Sequence, residues 1–229
     1  MPEPTATPEA ARHALIIGAG PGLGAAIARR FGREGFSVTV AGRDQERLDR
    51  LAAQLRQATG SDVDTAVLDA SDAAGFKSSL EALAERISPA VVVYNAALLT
   101  GDDALTSSLD HLTQAYTIDV LGAISTAQVF APAMRLRGRG TILATGGGLA
   151  LAPNPEFATM SIGKAALRAA VALLHDELKA DGVHVAGVTV AGNIEADTPF
   201  APDLIAEAYW NLHVEPADTW SVETVFDGK

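Results

Sequence analysis

The sequence predicts an α/β chain folded as one doubly wound parallel sheet of about seven strands with helices on both faces. Three observations carry this. Short apolar runs alternate with segments of helical period along nearly the whole chain. Those runs are apolar at consecutive positions, as in strands buried on both faces. Their connections have the length of crossover helices, which parallel neighbours require.

The elements follow in order. His13–Ile17 (HALII) is a strand ended by glycines, and Gly24–Gly32 is helical, with Ile27 and Phe31 four apart. Ser37–Ala41 is a strand, Gln45–Gln57 a helix striped by Leu48, Leu51 and Leu55, and Asp64–Leu68 a strand. Ala73–Ile87 is a helix and Ala90–Tyr94 a buried strand. Asp110–Arg137 is a long helical pattern with Pro132 as its candidate kink. Thr141–Ala144 is a strand, Glu156–Asp181 a helix, Val183–Val190 a strand, Pro202–His213 a helix and Val222–Phe226 a last strand. Residues 1–12 (MPEPTATPEAAR) read as a solvated tail, with neither the apolar core nor the basic start of a secretory signal. Residues 13–229 read as a single domain.

Composition narrows the function. The 229 residues are 48% hydrophobic and 20% charged, which excludes intrinsic disorder for the body of the chain. Seventeen Lys+Arg against 28 Asp+Glu give a net charge of −11, and such a surface repels phosphate backbones and anionic lipid. The expectation is no nucleic-acid partner and no membrane partner. No apolar run approaches the roughly 20 residues of a membrane span. Zero cysteines exclude disulfides and thiolate chemistry. The five histidines lack metal-ligand spacing, and neither a G-x-S-x-G elbow nor a Walker ending occurs. A soluble, cytoplasmic protein is expected.

Sheets of this kind bind ligands beyond the carboxyl ends of their strands, where the winding reverses. The first strand runs into Gly18-Ala-Gly20-Pro21-Gly22-Leu23-Gly24 and then a helix. Glycine lets backbone approach a diphosphate closely, and the helix start offers free N–H groups to it. This context predicts a Rossmann-type dinucleotide site. Strand two ends at Gly42-Arg43-Asp44. Arg43 in place of an acid favours the 2′-phosphate of NADP, so NADPH is preferred over NADH; the plainer reading makes it a surface charge. Asp44 is a helix N-cap. Asp69, followed by Ala70, either accepts from the adenine amino group or caps the next helix. Asp102-Asp103 reads as a helix start.

Together these residues resemble the short-chain dehydrogenase/reductase family, over essentially all of residues 14–226. Asn95-Ala96-Ala97 stands where that family has Asn-Ala-Gly, Ala191-Gly192 where it has Pro-Gly, and Lys164 on the fifth crossover helix. The resemblance implies cofactor contacts at Asn95, Ala96, Ala97, Lys164, Gly192 and Ile194, with Lys164 on the ribose hydroxyls. The family's catalytic tyrosine, four residues before the lysine, is here Met160; its serine position falls near Gly147; its asparagine position is Asp119. Phe157-Ala-Thr-Met160-Ser-Ile-Gly-Lys164 is similar to the Tyr-x-x-Met-x-x-x-Lys pattern of enoyl-acyl-carrier-protein reductases, with Phe157 replacing tyrosine.

Methionine cannot donate a proton and glycine has no hydroxyl. The expected function is therefore an atypical NADP-dependent reductase acting on C=C or C=N of a small apolar substrate over Gly147, Phe157 and Met160. Tyr94, Tyr116, Thr145, Ser161 and Tyr209 are substitute hydroxyls. The alternative is a catalytically silent NADP-binding sensor. Phe200, Tyr209 and Trp210 line a pocket, belong to the core or meet another subunit. Small and apolar residues on several faces of the two long helices predict a homodimer or homotetramer.

Overall fold

A computed structural model describes residues 12–229, so all of the expected tail except Arg12 lies outside the described residues. Seven strands form one sheet in the order β3-β2-β1-β4-β5-β6-β7, every pairing parallel. They are β1 (His13–Ile17), β2 (Ser37–Gly42), β3 (Val63–Val67), β4 (Val91–Tyr94), β5 (Gly140–Gly147), β6 (Val183–Val190) and β7 (Glu223–Phe226). The helices are α1 (Leu23–Arg33), α2 (Gln45–Thr59), α3 (Ala73–Ala84), α4 (Leu109–Tyr116), α5 (Gly122–Arg137), α6 (Ala158–Leu178) and α7 (Pro202–Val214).

Side chains of a strand point alternately to its two faces, which is why consecutive apolar residues are needed. In β1, Ala14 and Ile16 join the core beneath α1, α2 and α7. Leu15 and Ile17 join the core beneath α3, α5 and α6. The first core is closed by Ile27, Phe31, Leu48 and Leu55, the second by Phe76, Leu80, Phe130 and Leu167. From β1 the chain winds outward to β2 and β3, then returns to β4 on the other side. The winding reverses between β1 and β4, and their carboxyl ends define the site.

Three expectations are corrected. Strand five does not stop at Ala144, because parallel pairing with β6 carries the extended backbone through Gly146 and Gly147, opposite Thr189 and Val190. The long helix is interrupted by a π-helical turn at Thr117–Leu121, while Pro132 lies within α5. That whole run, Leu109–Arg137, is also long and apolar enough by length and composition to cross a bilayer, which counting uninterrupted apolar residues missed; 56% of its most apolar stretch is buried in this fold. The π turn has a local cause. The Tyr94 hydroxyl donates to the Ile118 carbonyl, and Gly122 makes room for it, since a Cβ there would collide with that hydroxyl.

Candidate active site

Gly18 leaves β1 with φ +82°, in the left-handed region, and a Cβ on it would collide with the Ala96 backbone. Its N–H and that of Ala19 both donate to the Ala41 carbonyl at 2.9 Å. Its own carbonyl accepts from Asn95 Nδ2 at 2.9 Å, which ties the loop to the end of β4. A Cβ on Gly24 would lie 2.8 Å from the Ala19 Cα, so α1 can press on the loop only through glycine. Around Gly20 and Gly22 there is open space, with no heavy atom within 4 Å of a Cβ at either. Pro21 beside them is exposed and Leu23 buried. Helix α1 starts without a capping side chain and without an acid in its first turn. Open space, bare backbone and unclaimed helix N–H groups are what a diphosphate needs, and the residues present fit a dinucleotide.

At the end of β2, Asp44 caps α2 by accepting from the Arg47 N–H at 3.0 Å, as expected. Arg43 is exposed. Asp69 does not cap α3; Asp72 does, accepting from Gly75. Asp69 instead accepts from the backbone and hydroxyl of Ser71. Those bonds, with the Arg43 charge adding to them, hold its carboxyl below the usual range. Ala70, next along, is buried. Gly192 and Ile194 lie in the exposed stretch after β6, with Ile194 42% exposed.

Lys164 lies on the buried side of α6, 4% exposed, and donates to the Thr145 carbonyl at 2.9 Å. Burial pulls its pKa down, and Asp119 opposes that. Asp119 is fully buried within the π turn. Its Oδ1 accepts from the Leu98 N–H at 2.8 Å, while Oδ2 has no hydrogen-bond partner among the described residues. Burial pushes its carboxyl up, and Lys164 opposes that. Gly147 ends β5 beside the lysine: a Cβ there would meet Lys164 Cγ at 3.5 Å. Met160, one helical turn earlier, is partly buried, and Phe157, just before α6, is 37% exposed.

The substitute hydroxyls are accounted for. Tyr94 serves Ile118. Ser161 donates back to the Phe157 carbonyl at 2.8 Å. Thr145 donates to Asn95 Oδ1 at 2.8 Å and meets the Tyr209 hydroxyl at 2.7 Å. Tyr116 is 44% exposed on α4. The aromatic residues of the tail divide. Tyr209 is fully buried in the core, and Trp210 packs edge-on against Phe31 and Phe36 under the Arg30 guanidinium; both are placed there because α7 lies on α1. Phe200 packs on Phe226 and lies against Gly192, where a Cβ would collide with its ring.

Asp102 is a site-forming residue that the sequence hid. It is no helix start: it accepts from the Thr159 N–H at 3.0 Å, the Thr159 hydroxyl at 2.5 Å and His111 Nε2 at 2.9 Å, pinning the first turn of α6 to α4. Its backbone also pairs with Phe157. Thr159 is 57 positions away, so no local pattern announces it as a partner.

Fold and site together define a dinucleotide-binding protein of the doubly wound class. The short chain dehydrogenase family profile matches residues 12–203, and the chain belongs to that family. It is 30% identical over 177 residues to a very-long-chain 3-oxoacyl-CoA reductase of Aspergillus fumigatus, covering 75% of this chain and 51% of that protein. The chain thus spans about half the length of the curated relatives it matches. Among solved structures, a short-chain dehydrogenase from Rhodopseudomonas palustris superposes with TM-score 0.82 at 27% identity, covering 93% of this chain and 96% of the other. An alcohol dehydrogenase from Thermococcus sibiricus, complexed with 5-hydroxy-NADP, gives TM-score 0.82 at 27% identity, covering 93% and 94%.

Proposed function

We propose that the chain is an NADP-dependent oxidoreductase that reduces a polarised C=C or C=N bond of a small apolar substrate rather than a simple ketone. The observation that carries this reading is the pairing of a buried Lys164 with Met160 and Gly147, where no side chain supplies a hydroxyl. A ketone reduced to an alcohol needs a proton delivered to its oxygen as the hydride adds to carbon, to avoid a free alkoxide. An iminium ion already carries its positive charge, and an enolate formed from an enone takes its proton from water. NADPH, when bound, supplies the hydride.

The chain's own residues divide the binding. Gly18 to Gly24 and the start of α1 hold the diphosphate, Arg43 the 2′-phosphate, Asp69 and Ala70 flank the adenine, and Lys164 holds the ribose hydroxyls. Asn95, Ala96 and Ala97 form the floor, and Gly192 and Ile194 flank the nicotinamide. The NADP derivative in the Thermococcus enzyme's structure supports this choice of cofactor. An open cavity over the nicotinamide would favour an enzyme, and a pocket filled by Phe157 and Met160 a silent NADP-binding sensor. The same reading makes the protein a cytoplasmic homodimer or homotetramer without nucleic-acid or membrane partners, in keeping with its net charge of −11.

NADPH oxidation against a panel of ketones, enones and imines tests the reaction. Turnover confined to enones or imines is expected; brisk turnover of simple ketones or secondary alcohols overturns it.

A further inference from the structure

Asp119 and Lys164 are each unusual. A lysine 4% exposed is rare without a partner, and among the described residues the group bonded to its ammonium is the neutral Thr145 carbonyl. A fully buried carboxylate oxygen, Asp119 Oδ2, has no hydrogen-bond partner among the described residues. Helix α6, which carries the lysine, packs on the π turn that carries the carboxylate, without a direct ion pair between the two charges. Oδ1 is held by Leu98, so the carboxylate cannot turn away. Gly163, immediately before the lysine, presents bare backbone to Oδ2: a Cβ there would stand 2.9 Å from it.

We propose that Asp119 is a positioning residue for the charge of Lys164, its carboxylate favouring the ammonium form in a buried place between α6 and the π turn. An aspartate in this place differs from the neutral asparagine to which the sequence compares it, because only a carboxylate supports a buried cation. The surrounding elements leave the assignment to these two groups. From β4 comes Tyr94, occupied by the Ile118 carbonyl. From β5 come the Thr145 carbonyl and glycines, with no ionisable side chain. On α4, His111 is taken up by Asp102. Each charge opposes the effect of burial on the other. The consequence for NADPH rests on the cofactor reading above: the affinity falls at the pH where Lys164 loses its proton.

The chain has four lysines, Lys77, Lys164, Lys179 and Lys229, so side-chain resonances of ¹⁵N-lysine-labelled apoprotein are assigned with Lys164→Met alone. Asp119→Asn is expected to lower the Lys164 titration midpoint by about one pH unit or more, leaving the other three lysines unmoved. Linkage is reciprocal, so Lys164→Met must raise the Asp119 carboxyl midpoint, followed by ¹³C, by a like interval; that second arm stands even if Asp119→Asn does not fold. Unchanged midpoints in either arm overturn the proposal. Calorimetry with NADPH adds a separate readout. The alkaline limb of affinity moves down with the lysine in Asp119→Asn and vanishes in Lys164→Met. Absence of NADPH binding to the unmodified protein would sink the cofactor reading, while the apoprotein titrations still decide the pair.

Discussion

Met160 brings a thioether, and Gly147 a bare backbone, to the two places beside Lys164 where a carbonyl substrate would need hydroxyls. Restoring them should restore the chemistry in part. A Cβ at Gly147 meets the lysine stem at 3.5 Å, an ordinary contact, so serine fits there. Met160→Tyr alone is expected to give weak NADPH-linked ketone reduction, and Met160→Tyr with Gly147→Ser on the order of a hundredfold more, what one preorganised hydrogen-bond donor to the developing oxyanion contributes. Equal rates for the single and double variants would remove Gly147 from the argument. At the other end of the cofactor, Arg43→Ala removes a charge-assisted hydrogen bond and should weaken NADPH by roughly 1.5–3 kcal/mol and leave NADH unchanged. Titration with both cofactors measures this, and an equal loss for both would move Arg43 away from the 2′-phosphate. The candidates themselves were legible: Lys164, Arg43 and the glycines stand out because of what they are and what precedes them. Asp102 and the chain from Tyr209 through Thr145 and Asn95 to Gly18 were not, because each link joins residues far apart in sequence.

Elements carry their own predictions. The π turn exists because the Tyr94 hydroxyl claims a carbonyl in it and Gly122 yields space. On an exposed helix, alanine for glycine stabilises; here Gly122→Ala drives a methyl into the Tyr94 ring and should destabilise by about 1–3 kcal/mol in urea melts. Helix α7 is fastened to the sheet by His213, whose Nδ1 lies 2.9 Å from the Thr141 hydroxyl. Burial, with His184 adding to it, pushes the His213 pKa down to about 4 from 6.5. A histidine whose folded pKa is depressed favours the fold fully above its unfolded pKa. Its contribution is then lost as pH falls from 6.5 through about 4. The loss should approach roughly 3 kcal/mol and be absent in His213→Gln, as urea melts at several pH values would reveal. Element types followed from period and composition. The π turn and the extension of β5 through its glycines did not, because the first is imposed by the Tyr94 side chain reaching up from β4 and the second by pairing with β6.

At the scale of the whole molecule, the α4-to-α5 run and α6 leave large apolar side chains in water, among them Leu109 at 80%, Leu136 at 91%, Ile162 at 54% and Leu173 at 66% exposure. Their cost is relieved if these helices meet a second copy across a twofold axis. Light scattering should give a multiple of the chain mass, and Leu173→Glu should shift it toward the monomer; a monomer at micromolar concentration in the unmodified protein would reject the assembly.

The sequence by itself determined the sheet, the order of its elements and the phosphate loop. Consecutive apolar residues can be buried only between two layers of helices, and only glycine tolerates the backbone turn and close approach that the loop demands. Tertiary structure alone decided which hydroxyls are spent on the scaffold, that Tyr209 and Trp210 join the core while Phe200 lies against Gly192, and that Asp119 faces the helix carrying Lys164. Hydrogen-bond partners and burial are properties of distant segments brought together, and one residue's identity does not say what will stand opposite it.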